Sequence, residues 1–415
     1  MRMRLLVFLC FVISAVRAED WPTFMHDPAR SGVSSETLAM PLTELWSYMP
    51  PVVPTRAWPD PQPNLYESPK ITFDDATHVA LAGDTVYFGS SVDNGIHALD
   101  AASGAQRWIF FTEGPVWLAP TFAQGAMEGK PTVADGRIYA GSDDGAVYCL
   151  RAADGAKVWS MRPFPGTDRI VGAGRVMSLW PVRTGVVVDG GVAYCGVGLF
   201  PVPGTSMLAL DAMTGKTIWQ TERPSKKNPI EAPIPQGYLL ASADQLYVPR
   251  GRAVPQTYAR ANGTQPVKLQ ADYDTIKAKG VVSGDYGVLI DGIYHLGTQT
   301  ILHSFKPDGK HVASWSETRQ LVATGDRYFR IQTKLLRGAA SLDAAVQALV
   351  RAAADAAPRK DKMPAQVVKW TYAGANIHKI IAAGAIVFVG GSNTVIALDA
   401  ATGRLRELQL ISTLP

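Results

Sequence analysis

Three strings in this chain restate one another: "HALDAASGAQRW" at residues 97–108, "YCLRAADGAKVW" at 148–159 and "LALDAMTGKTIW" at 208–219. Each joins an apolar run to a turn ending in Gly and places a Trp four residues later. The turn glycines Gly104, Gly155 and Gly215 are followed by weaker copies at Gly263 and Gly309 and by a clear one at Gly403. The steps are 51, 60, 48, 46 and 94 residues, and the last is twice 47. One copy near residue 356 has therefore lost its signature, and the period is about 50 residues. A unit of that size cannot bury both of its faces alone, so copies must stack on one another.

Within a copy, runs such as "DTVYFGS", "GRIYAGS", "GVAYCGV" and "AIVFVGG" read as a strand, and "GIHALD", "GAVYCL", "SMLALD" and "TVIALD" as the next. The turn follows because Asp bonds its own backbone and Gly takes positive φ without steric cost. A further strand carries Trp108, Trp159 or Trp219, each large enough to fill a gap between neighbouring units. Four short antiparallel strands per repeat predict an all-β chain, a β-propeller of seven or eight blades. Eight is favoured, with the last blade incomplete; in a seven-blade ring, a strand carrying Trp46 would close the circle beside the last copy. One inserted helix is predicted over 341–357, where Leu342, Val346, Leu349, Val350 and Ala353 share a helical face between Ser341 and Pro358.

The stretch "IYAGSDDGAVYCLRAADGAKVW" at 138–159 and its relatives resemble the pyrroloquinoline-quinone-type (PQQ-like) β-propeller repeat. The opening "DWPTFMHDPARSGVSSETLAMPLTELWSY" resembles the N-terminal part of such propellers. The resemblance runs from Trp21 to about Gly403. It implies a fold shared by quinone-dependent dehydrogenases, outer-membrane assembly factors and propellers without known chemistry. For a dehydrogenase it would further imply adjacent cysteines in a small disulfide ring, a Glu, Asn and Asp set around calcium, and an Asp base.

Residues 1–18 pair Arg2 and Arg4 with an apolar run ending in "VRA", the pattern of a cleaved secretory signal peptide. The propeller domain is then 19–415, with no transmembrane segment in the mature chain. Without Arg2, Arg4 and Arg17, 37 basic side chains face 36 acidic ones, so no basic face for nucleic acid is expected. Cys149 and Cys195 fall in apolar strands of different repeats and read as buried thiols. No adjacent cysteines, zinc motif, haem motif, nucleophile elbow or phosphate loop is present. Catalytic residues, metal ligands and cofactors are accordingly expected to be none, with PQQ and calcium only if the chain is a dehydrogenase.

The insertion at 164–185 sets Arg169, Arg175, Trp180 and Arg183 together, and a second irregular segment adds Arg250 and Arg252. Guanidinium groups bind carboxylates through paired hydrogen bonds, so these six are the candidate ligand- or partner-binding residues. Alternatively, they tie down irregular loops. "DPAR" offers Asp27 and Arg30 as a structural clasp. The expected role is a non-catalytic exported scaffold for an envelope or extracellular protein or a glycan, with Trp108, Trp159, Trp219, Gly104, Gly155, Gly215 and Gly403 as its frame.

Overall fold

A computed structural model describes residues 19–52, 54, 77–124, 136–172, 174–221, 234–250, 253–269, 286–297, 301–325, 327–335, 342–350, 367–375, 377–391 and 394–410. The expected signal peptide and Arg252 lie outside the described residues. Within them, the chain forms seven sheets of consecutive antiparallel strands and one separate hairpin. The first sheet comprises Val79–Ala82, Thr85–Gly89, Gly95–Asp100 and Gln106–Phe111, and the second Thr121–Ala123, Arg137–Gly141, Val147–Arg151 and Lys157–Met161. The third runs from Val187–Asp189 to Thr217–Gln220, and the fourth has three strands, from Leu240–Ala241 to Ala253–Ala259. The fifth extends from Tyr286–Ile290 to His311–Ser316, the sixth from Thr318–Thr324 to Val367–Ala375, and the seventh from Ile377–Ala383 to Leu405–Leu410.

The first strands of the first three sheets lie beside one another, as do those of the fourth to seventh, while fourth strands expose apolar side chains such as Phe111, Ile218 and Leu408. The sheets therefore radiate from a centre, as propeller blades do.

That centre is occupied by the chain's own N-terminal segment. Trp21 exchanges backbone hydrogen bonds with Leu81 of the first sheet, Pro22 O accepts from Phe122 N of the second, Pro28 O from Ala241 N of the fourth, and Ala29 O from Leu289 N of the fifth. Gln320 of the sixth sheet reaches Met25 Sδ, and Val33–Ser34 adds a parallel strand to Ile377–Ala383 of the seventh. Threading so many sheets forces Met25, His26 and Arg30 to φ values of 53°, 77° and 61°, each costing on the order of 1 kcal/mol for a side chain with a Cβ.

The repeated turn locks neighbouring sheets. Gly104, Gly155, Gly215, Gly263 and Gly403 all adopt φ of 70–72°, and each lies under an indole from the sequence before it. A Cβ on Gly155 would meet Trp108 at 2.6 Å, one on Gly215 would meet Trp159 at 2.7 Å, and one on Gly263 would meet Trp219 at 2.6 Å. The indole N–H groups then donate to Ala152 O, Ala212 O and Arg260 O at 2.9, 3.1 and 2.7 Å. Gly thus serves both the left-handed turn and the close approach of the ring. Trp46 docks in the same way on Gly104, and Trp370 on Gly403. At Gly309 the ring is replaced by Val267 and the Lys268 backbone.

The predicted helix is corrected to a strand. Leu342–Val350 is the third strand of the sixth sheet, paired with Arg327–Leu335 and Val367–Ala375. Its burial alternates, with Val346 and Ala348 buried beside half-buried Ala345 and Gln347. The Ala-rich composition permits a helix, but ladders on both sides and a buried alternate face override that preference.

In the fifth sheet, Trp315 Nε1 donates to Ser304 Oγ at 2.9 Å, so the hydroxyl proton is directed to His295 Nδ1, 2.8 Å away. Burial pushes the His295 pKa down to about 3. An unfolded His titrates near 6.5, so between these values the unfolded chain binds more protons. This contribution is complete above pH 6.5 and is lost as pH falls towards 3. Chemical denaturation from pH 6.5 to 4.5 should show His295→Gln losing about 1 kcal/mol less per pH unit than the parent; parallel profiles would refute the assignment.

Candidate functional site

Loops between the second and third strands of the first two sheets, carrying Val92 and Asp143, meet the segments that lead into the second and third sheets. There, the insertion at 164–185 folds into the separate hairpin, Arg169–Gly172 paired with Arg175–Ser178. Gly174 turns it at φ 72°. Neither strand joins another sheet. Val171 and Val176 face each other across the pair and are 78% and 54% exposed. Trp180 is buried at the base, stacked over Gly166, and its Nε1 donates to Pro203 O at 2.9 Å. This bond fixes the hairpin beside a loop that exposes Phe200 and Val202.

The insertion's arginines have separate fates. Arg169 Nη2 lies 2.9 Å from Glu113, which also receives Arg162 at 3.2 Å; these exposed pairs contribute little stability. Arg175 Nη1 donates to Val92 O at 3.1 Å, tying the hairpin to the first sheet. Arg183 turns inward. Its Nε and Nη2 donate to the two oxygens of Asp143 at 2.9 and 2.7 Å, both side chains being buried. Trp117 Nε1 donates to the same carboxylate at 2.8 Å, and the guanidinium lies 5.6 Å from the Trp117 ring. Arg250 is half-buried at the end of a fourth-sheet strand, where burial lowers its pKa. The structure thus groups Arg169, Arg175, Trp180 and Arg183 around the hairpin and leaves Arg250 outside that group.

Behind Trp117 lies a layer to which the sequence reading assigned no role. Phe24 and Tyr238 stack with centroids 3.7 Å apart, and His78 meets the edge of Phe24 at 4.6 Å. Ala119 N donates to the Tyr238 hydroxyl at 2.8 Å, and that hydroxyl lies 3.1 Å from His78 Nδ1. Arg30 is buried beneath the rings. Its donors go to Leu239 O, Thr23 Oγ1 and Phe24 O at 2.9, 2.9 and 2.8 Å, with a longer contact to Asp27 O at 3.3 Å. The Asp27 carboxylate instead accepts from Ser31, so the clasp expected between Asp27 and Arg30 runs through the Asp27 backbone.

The carboxylates of this region are already bound by protein donors. Asp143 is held by Arg183 and Trp117, while Asp144 accepts from Tyr148 Oη, Ala146 N and Glu113 N at 2.5, 2.7 and 3.0 Å. Among the described residues, no three His, Cys, Asp or Glu side chains converge as metal ligands. Cys149 and Cys195 are free and buried in different sheets. Burial pushes the Cys195 thiol up to about 12.

Residues 93–265 match the family model described as outer membrane protein assembly factor BamB. The quinohemoprotein alcohol dehydrogenase ADH IIB of Pseudomonas putida is 30% identical over 142 residues, covering 34% of this chain and 19% of that protein. The dehydrogenase subunit of the quinone alcohol dehydrogenase of Komagataeibacter europaeus is 26% identical over 180 residues, covering 41% and 23%. The matches span about a fifth to a quarter of these relatives. Among solved structures, europium-containing methanol dehydrogenase superposes with a TM-score of 0.56 at 12% identity, covering 94% of this chain and 85% of that one. Quinohemoprotein alcohol dehydrogenase from Comamonas testosteroni gives 0.53 at 14%, covering 96% and 74%. At these identities the likeness shows the fold alone. Sheets, turns and matched repeats define a β-propeller with PQQ-like repeats.

Proposed function

We propose that this chain is a non-catalytic, exported binding scaffold whose partner is an envelope or extracellular protein in preference to a glycan. The observation that carries the reading is the hairpin Arg169–Ser178, which joins no other sheet and exposes its Val171–Val176 pair, while the loop that exposes Phe200 and Val202 is tied to the same insertion through Trp180. Unpaired edges and clustered exposed apolar side chains are features of protein contact surfaces. Arg169 and Arg175 flank them. A glycan would find few polar groups on the valines, and nucleic acid would meet a nearly neutral mature chain.

The ring is proposed to close with seven blades. Seven sheets, the pairing of Val33–Ser34 with Ile377–Ala383, and the docking of Trp46 on Gly104 support this over eight. Export rests on the signal-like residues 1–18; among the described residues no helix is long and apolar enough to cross a membrane.

A photo-crosslinking residue at position 171 of the full chain in its native host should give a discrete protein adduct that the same residue at Ile218 does not. Equal labelling at both positions would remove the case for the hairpin. The names of the curated relatives favour a second reading, a PQQ-dependent oxidoreductase. Calorimetry with PQQ and calcium, followed by a dye-linked alcohol dehydrogenase assay, is expected to show neither uptake nor turnover; tight binding with turnover would establish that second reading instead.

A further inference from the structure

Arg30 sits at the middle of the ring and is 1% exposed. Buried charges in folded proteins are ordinarily paired, because an isolated one bears a large desolvation cost. Among the described residues, Arg30 has no carboxylate within ion-pair distance. Its Nε and Nη1 go to three backbone carbonyls and one hydroxyl, and Asp27, which still attracts it, has its carboxylate bound by Ser31. Nη2 is buried with no protein acceptor. The guanidinium carbon is 5.9 and 5.7 Å from the Phe24 and Tyr238 rings. Their faces offset only part of the charge.

A second donor abuts the same rings. The Tyr238 oxygen accepts from Ala119 N and lies 3.1 Å from His78 Nδ1, a pairing in which the hydroxyl donates to the ring in its Nε2–H tautomer. A neutral imidazole with Nδ1 as acceptor carries its hydrogen on Nε2. Burial and nearby Lys379 push the His78 pKa down to about 3, which keeps the ring neutral. His78 Nε2 is likewise buried with no protein partner. Lys379 places a second cationic group nearby, with its Nζ 5.9 Å from the Phe24 ring. Two orphan donors, one of them on the buried Arg30 guanidinium, thus abut one stacked aromatic pair. An occupant must supply acceptor atoms and negative charge.

We propose that the Phe24–Tyr238 layer is a binding site for a small anion, of chloride or formate size, held principally by Arg30 Nη2. The anion would complete the pairing that the N-terminal segment leaves unfinished, and would fasten that segment to the blades it crosses.

The test uses the full-length protein. At constant ionic strength maintained with gluconate, a much bulkier anion, chloride and formate are each titrated while the melting temperature is followed. A saturable rise of about 2 °C is expected for at least one of them, and comparison of the two arms tells halide from carboxylate. His78→Phe, which removes the second donor while keeping a ring, should shift the titration midpoint at least several-fold upwards. Crystals soaked in bromide supply a readout independent of any variant, with an anomalous peak expected within hydrogen-bonding reach of Arg30 Nη2. A flat melting response to both anions, or a bromide map without density at Arg30, would overturn the proposal.

Discussion

Replacing Arg183 with alanine should cost about 3–5 kcal/mol of folding stability, because it strands the Asp143 carboxylate in the protein interior. The size of the effect comes less from attraction within the pair than from what is left behind. Asp143 is 1% exposed, and Trp117 Nε1 is its remaining side-chain donor. Asp143→Asn lowers the charge of the other partner and leaves the guanidinium partly served by the Trp117 ring, so its penalty should be smaller. The double variant should be less destabilised than the sum of the singles, since neither orphan charge remains. Urea denaturation of the four proteins would measure this coupling. Strict additivity would mean that the two side chains do not depend on each other.

The periodic frame was legible because it rests on local chemistry. Asp100 accepts from Ser103 N and Oγ, and Asp211 and Asp399 do the same with Thr214 and Thr402, so each turn is written in adjacent letters. What spacing did not display was the destination of each indole, because Trp108 lies on Gly155 of the following repeat, 47 positions along. The stretch 342–350 misled for the opposite reason. Its alanines suit either period, and the ladders that decide between them come from 327–335 and 367–375. Around the candidate site, the cluster of Arg169, Arg175, Trp180 and Arg183 was visible, but their orientations were not. Arg183 is drawn inward by Asp143 of a loop 40 residues away. Arg30 was legible only as a clasp partner of Asp27, and its association with His78 was not, since their common neighbour Tyr238 lies far from both in sequence and only the threading of residues 21–34 through the ring unites them.

The docking of one repeat on the next also leads to the largest effect expected from a neutral side chain. Trp108→Ala removes a buried indole and its hydrogen bond to Ala152 O, and should cost about 3–5 kcal/mol. Gly155→Ala should destabilise for two distinct reasons. Its φ of 72° is unfavourable to any residue with a Cβ, and the new methyl would lie 2.6 Å from Trp108 Cε3. The first cost, about 1 kcal/mol, belongs to the backbone and persists in any background. The second exists only while the indole is present. In a Trp108→Ala background, Gly155→Ala should therefore fall back to the backbone cost alone, whereas beside the intact Trp it should add a further 1–3 kcal/mol or so of overpacking. The cycle separates the two demands placed on this glycine. A Gly155→Ala penalty that is the same with and without Trp108 would show that the turn, and not the ring above it, requires glycine here.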